Sequence, residues 1–342
     1  MTDGICPARE ALPVSRWELC ALAGLLIGLL SVLVTLAWTT GVTVDEPAHL
    51  LSAHLYWAGR DNLEPGDMPP MIKLAGGWVS HMTGLPVPYD RRELWEKRSE
   101  WDIAQVMMER LHPPQLQRVF FYSRLPLTVF PLLVCAVLWW WARQLYSPKT
   151  AIWLAALFCL TPTVLGHGAL FKNDLAASFG FVWFWYGCWR YWRSPSTAAA
   201  ALLAAALLTA VLAKMSMLVL LPAAPLAIAL RHRTEAGGVW RAIRSMALVC
   251  VLTYAGAAAA YQFQVSSVAR TEIQAWKANP AIPRWIPAVM RAAGKIPTPV
   301  RLREGAVSLI QSNNLGTGVY LLGNVYRHGS WSYFLVSLAT KE

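Results

Sequence analysis

Two adjacent carboxylates, Asp45 and Glu46, stand in the stretch Thr43-Val44-Asp45-Glu46-Pro47-Ala48-His49. A carboxylate can act as a general base, taking the proton of an attacking hydroxyl. An acid ahead of a proline can also cap a helix, because Pro suits the first turn and the free N–H groups there need acceptors. One acid is enough for a cap, so capping and chemistry both stay open for this pair. A third acid, Asp174, closes Phe171-Lys172-Asn173-Asp174, and His167 precedes it in Leu165-Gly166-His167-Gly168. Lys73, Arg124 and Lys214 are the cations at comparable places. Each has a plain reading: a solvated turn, a lysine snorkelling to headgroups, an arginine anchoring a span, a loop lysine of no consequence. Taken together, acids and cations of this kind suit a transfer reaction with an anionic leaving group. The acid receives a proton as the acceptor attacks, and the cations stabilise a departing phosphate. The sequence has no glycine-rich phosphate loop and no HExxH. Its six cysteines, Cys6, Cys20, Cys135, Cys159, Cys188 and Cys250, form no CxxC. Neither a disulfide framework nor a zinc site is expected, and no metal or cofactor is called for.

These residues need a scaffold, and the composition points to a membrane. The chain has 342 residues, of which 56% are hydrophobic and 14% charged. That is too apolar for a soluble globule and fits a polytopic membrane protein, with 18 Trp and 11 Tyr available for interfacial belts. The net charge of +11 comes from cations scattered between apolar segments, so anionic lipid rather than nucleic acid is the expected partner. A first span is expected at 19–42, with no charge between Leu19 and Val44. It is too long for a signal peptide and lacks a small-residue cleavage site. Further spans are expected near 123–146, 150–167, 175–192, 198–213, 216–230 and 245–264. The short loops 143–149, 190–197 and 231–244 carry eight Lys and Arg against Glu235 alone, which makes that side cytoplasmic. Asp45, the His167-to-Asp174 stretch and Lys214 then face the other side.

Two long loops, 43–122 and 265–330, lie on that extracytoplasmic side. In the first, the segments after Pro47 and after Pro69-Pro70 have helical apolar spacing but are too short to span. They are expected to lie at the membrane interface. The second is basic, with eight cations against Glu272 and Glu304. Arg284, Arg291 and Lys295 there fall on one helical face, as in an interfacial helix that anchors to headgroups or draws in an anionic lipid-linked substrate. A last apolar stretch, Trp331 to Thr340, is too short to cross a bilayer, and the chain reads as the N-terminal part of a longer protein.

With these motifs in order, the sequence resembles the GT-C glycosyltransferases that use polyprenyl-phosphate sugars. Within them it is similar to the group holding protein O-mannosyltransferases and the aminoarabinose transferase of lipid A. The resemblance rests on Val44 to His49, Pro69-Pro70-Met71-Ile72-Lys73-Leu74, Ser123-Arg124-Leu125-Pro126, Trp141 to Tyr146, Pro162 to Asp174, Ala213-Lys214-Met215-Ser216, and Gly323 to Lys341. Asp67-Met68 precedes the proline pair, where relatives often carry His. The resemblance implies an all-α transmembrane bundle with interfacial helices, an active face on the periplasmic side of the inner or plasma membrane, and further spans beyond residue 342. It implies transfer of a sugar, with inversion, from a polyprenyl phosphate to a protein Ser/Thr, a lipid or a glycan. Asp45 would be the catalytic base, with Glu46 its capping or orienting partner and Asp174 a second acid near sugar or acceptor. Lys73, Arg124, Lys214 and His167 would attend the lipid phosphate. A different class of reading, a transporter or flippase, would put acids within spans and show internal repeats, neither of which is evident. A scaffold without activity would leave Asp45 replaceable.

Overall fold

A computed structural model describes residues 13–63, 68–316 and 318–341. The N-terminal tail with Cys6, Arg9 and Glu10 lies outside the described residues, as does Asp67. The chain divides into two compact units, one holding residues 13–63 and 68–260, the other residues from 261 onward. Helices dominate the first unit and make up about half of the second, which also carries two short strand pairs.

The first unit begins with α1 (Arg16–Thr39), whose N-terminus is closed by Ser15 and Glu18 in a reciprocal capping box. Then come α2 (Glu46–Trp57), α3 (Pro70–Met82), α4 (Arg92–Lys97) and α5 (Glu100–Glu109). Next, α6 (Pro113–Arg124), a 3-10 turn (Leu125–Thr128) and α7 (Val129–Leu145) run on as one segment of 33 residues. At 1.5 Å per residue this is about 50 Å, well beyond the roughly 30 Å of a hydrocarbon layer. The polar α6 is the excess. Beyond it lie α8 (Pro148–Leu160), α9 (Pro162–Gly168), α10 (Asp174–Arg193), α11 (Thr197–Ala213), α12 (Ala223–His232) and α13 (Gly238–Ala260).

Seven spans were expected from hydropathy, and the helices give fewer. Among the described residues, four segments are long and apolar enough to cross a membrane: Arg16–Thr39, Pro113–Leu145, Met215–His232 and Gly238–Ala260. A fifth is the pair α8 and α9, bent by 58° where Thr161-Pro162 interrupts it. Of the remaining two, α10 carries Asp174, Arg190 and Arg193, and α11 has 17 residues. α11 is a buried strut, packed between α10 and α13 along Ala200, Leu203, Ala206, Leu207 and Ala210. Small residues bring these axes close: a Cβ on Gly180 of α10 would stand 2.5 Å from the Cα of Ala210.

The short helices of the first loop also differ from expectation. α2 does not lie on a surface; Ala48 and every residue from Leu50 to Tyr56 are buried, and α3 packs along it. Pro47 starts it in the first turn, as the sequence suggests. α3 keeps one apolar edge outward, at Leu74, Trp78 and Met82.

Two buried ion pairs bracket α1 against α7. At one end Arg143 Nε donates to Glu18 Oε2 at 2.7 Å. At the other, Arg124, just ahead of α7, holds Glu46 and the last carbonyls of α1. Lone buried charges would cost several kcal/mol each, so each arginine comes with its acid.

The second unit has α14 (Arg270–Ala278), α15 (Trp285–Ala293), α16 (Val300–Leu315) and α17 (Tyr333–Lys341). Its short strands are β1 (Val265–Ser266) with β2 (Thr298–Pro299), and β3 (Val319–Leu321) with β4 (Asn324–Tyr326), both pairs antiparallel. The basic helix expected through Lys295 ends at Ala293.

Candidate functional site

The site is organised by Glu46. As first residue of α2 it is fully buried, and its carboxylate accepts from every side. Oε1 accepts from Arg124 Nε at 2.8 Å and from the N–H of Phe171 at 2.7 Å. Oε2 accepts from Arg124 Nη2 at 2.7 Å, the N–H of Thr43 at 2.9 Å and the Thr43 hydroxyl at 3.2 Å. Burial works against the charge, and the hydrogen bonds and charge of Arg124 with the two backbone N–H groups outweigh it, holding the Glu46 carboxyl below the usual range. No lone pair faces outward for a substrate. Glu46 ties three segments together, and its part in any chemistry is positional.

Arg124 is engaged in the same way. Its remaining N–H groups donate to the carbonyls of Ala37 at 3.0 Å, Thr40 at 2.9 Å and Gly41 at 3.0 Å. With the two bonds to Glu46, all five guanidinium N–H groups have protein acceptors. Arg124 was expected on a lipid phosphate, but as placed it has no donor left for one. Lys73 differs from its expected place for a related reason. It sits 3% exposed inside the α2–α3 hairpin, with Nζ 2.7 Å from Asp61 Oδ2. The ammonium neither snorkels outward nor faces the acids of the site.

What Glu46 fixes is the strap Phe171–Asp174. The N–H of Phe171 is bound by Glu46, and the carbonyl of Phe171 lies 3.3 Å from His49 Nδ1. The strap is thereby seated on the start of α2. Lys172 reaches across, its Nζ 2.9 Å from Asp45 Oδ2. Two residues on, Asp174 opens α10 and receives Lys214 Nζ at 2.7 Å on Oδ1. His167 Nδ1 stands 3.7 Å from Asp174 Oδ2. Asp45 and Asp174, 129 positions apart in the sequence, are thus brought to one edge of the bundle. Unlike Glu46, Asp45 is 47% exposed and its carboxylate can be reached. Beside Asp174 a groove of about 440 Å³ opens between α10 and the turn after α11, with Lys214 and Ser216 at one edge and Ala177, Phe181, Val182 and Met217 as apolar wall.

Of the residues expected at a site, Asp45, Asp174, Lys214 and His167 gather here, Glu46 and Arg124 lie beneath, and Lys73 stands apart. Lys172 and Asp61 join the ion pairs without having been expected at a site. The signal for Lys172 was available, since it is two residues from Asp174 in a turn between apolar runs. Nothing in the sequence marks Asp61 as the partner of Lys73. No three His, Cys, Asp or Glu among the described residues gather so as to hold a metal ion. Compared with protein-family models, curated proteins and solved structures, the chain finds no match.

Proposed function

We propose that this chain carries the donor-side machinery of a membrane glycosyltransferase that takes a sugar from a polyprenyl phosphate. The observation that carries the reading is the meeting of two acids from distant segments, Asp45 and Asp174, each paired with a lysine, beside a groove with apolar walls. In this reading Asp45 takes the proton of an acceptor hydroxyl as its oxygen attacks the anomeric carbon. The bond from that carbon to the phosphate oxygen breaks, the anomeric centre inverts, and the phosphate leaves on its lipid. Lys214 and Lys172 are the cations within reach to meet the charge that develops there. Glu46 and Arg124 hold the geometry from below. The family resemblance in the motifs supports the same assignment, with a protein hydroxyl, a lipid or a glycan as acceptor and the reaction on the extracytoplasmic face of the plasma or inner membrane.

The test uses membranes bearing the full-length protein and radiolabelled polyprenyl-phosphate sugars, comparing wild type with Asp45→Asn. Loss of a general base lowers turnover by about 10²–10⁴-fold. Asp45 is half-exposed, so the variant is expected to unfold at the wild-type temperature. Transfer at the wild-type rate in Asp45→Asn removes the role given to Asp45.

A further inference from the structure

The second unit holds a pocket that the glycosyl-transfer reading does not use. It lies between the end of α14 and the start of α15, with a volume of about 250 Å³, lined by Trp276, Lys277, Ile282, Arg284 and Pro287. Ile282 and Pro287 are buried and give it an apolar floor, while Lys277 and Arg284 stand exposed at its edge. Between Val265 and Ser330 the chain has two acids, Glu272 and Glu304. Glu272 is held by Arg303 at 3.0 Å and Glu304 by Arg301 at 2.7 Å. Lys277 and Arg284 therefore have no acid partner among the described residues. An exposed cation pair over apolar side chains is a receptor for an anion with an apolar body attached.

The outer surface of α15 says what carries that anion. Trp285 is 61% exposed and Val289 51%, although the opposite side of the same helix, at Ile286 and Pro287, is buried. At about 100° per residue, Trp285 and Val289 lie on one face, and Arg284 and Arg291 on another roughly 120° away. A short helix with separate apolar and cationic outer faces suits the boundary between acyl chains and headgroups. We infer that Lys277 and Arg284, over Trp276 and Ile282, bind the phosphate headgroup of an anionic lipid. This site is independent of the donor groove at Asp174 and stands or falls without it.

The experiment titrates phosphatidylglycerol into the full-length protein, purified in a neutral detergent, and reads bound lipid by native mass spectrometry. Parallel titrations use phosphatidylcholine, a sugar-free polyprenyl phosphate and inorganic phosphate. The tightest phosphatidylglycerol site is expected to weaken about thirtyfold in Lys277→Ala/Arg284→Ala, the factor two surface cations supply. It is expected to stay within about threefold in Lys277→Arg/Arg284→Lys, which keeps both charges. Thermal unfolding of both variants should match wild type, because the substituted side chains are exposed. Displacement of phosphatidylglycerol by polyprenyl phosphate, one for one, supports the site and identifies a carrier lipid as its occupant. Failure of that displacement supports it with bulk phospholipid as occupant. Three results overturn it: unchanged phosphatidylglycerol binding in the alanine variant, equal binding of phosphatidylcholine, or competition by inorganic phosphate as strong as that by the lipid.

Discussion

Glu46→Gln is the substitution most sensitive to the architecture, because it keeps the shape of the side chain and removes its charge. The amide must place an NH2 where one carboxylate oxygen was. At the Oε1 position that group would face two N–H donors, from Arg124 and Phe171. At the Oε2 position it would face Arg124 and the N–H of Thr43, with a Thr43 hydroxyl able to turn away. Either way two buried donors lose their acceptor, at about 1–3 kcal/mol each. Arg124 is left as a buried cation with three carbonyls and half an amide. The sum, about 2–6 kcal/mol, brackets the usual cost of removing one member of a buried pair. For a chain of this size that is a fall in unfolding temperature of roughly 3–8 °C, measured on detergent-purified protein by intrinsic fluorescence. Removing both charges, in Glu46→Gln/Arg124→Met, should cost less than the sum of the single changes, since neither then strands the other. The pH dependence has a definite sign. The Glu46 carboxyl is held below its unfolded value near 4.3. Its contribution is therefore complete above that value and lost as pH falls through the lower, folded one. The gap between wild type and Glu46→Gln should be constant above about pH 5 and close in more acid solution. A Glu46→Gln protein that unfolds within a degree of wild type at pH 7 would refute the clamp.

Two further outcomes follow from other parts of the first unit. Gly180→Ala places a methyl 2.5 Å from the Cα and 2.9 Å from the N of Ala210, backbone atoms that cannot turn aside, so α10 and α11 must separate at about 1–3 kcal/mol. Gly28→Ala in α1 meets nothing within 4 Å and serves as the control; equal unfolding temperatures for the two would contradict the close approach. Impermeant maleimide applied from outside intact cells should label a cysteine placed at Asn173 and spare one at Ala236, and the reverse pattern would invert the assigned orientation.

How far the sequence disclosed this molecule depends on the distance over which each interaction acts. The uncharged run from Leu19 to Val44 is a local signal, and α1 follows it closely. The helix starts at Pro47 and Pro70 are equally local. Burial is not local. α2 carries a mixed pattern that reads as interfacial, and only its packing with α3 and α5 encloses it. Of the seven expected spans, four segments and one bent pair among the described residues meet the length and apolarity a crossing needs; α11, at 17 residues, falls just short and is packed between α10 and α13. At the site, acids and cations were visible as types, but their pairings were not. Arg124 sits at the start of an apolar run, where an arginine ordinarily meets headgroups. Its five acceptors lie 78 to 87 positions away, on segments whose proximity no spacing in the chain reveals. Lys73 and Asp61 are only twelve residues apart, yet a loop and a turn of helix intervene, and neither helical nor strand periodicity joins them.

The paired arginines at the two ends of α1 have a mechanical corollary. Glu18 pinned by Arg143 below and the Ala37-to-Gly41 carbonyls pinned by Arg124 above deny α1 any sliding or rotation past α7. If, as proposed above, a long-chain carrier enters and leaves beside Asp174, α1 is not the part that yields; the groove's other edge is the 3-10 turn Met215–Leu220, reached from Asp174 by Lys214. A fixed pillar leading into Asp45 would keep the acid proposed as base in place while such a carrier is exchanged.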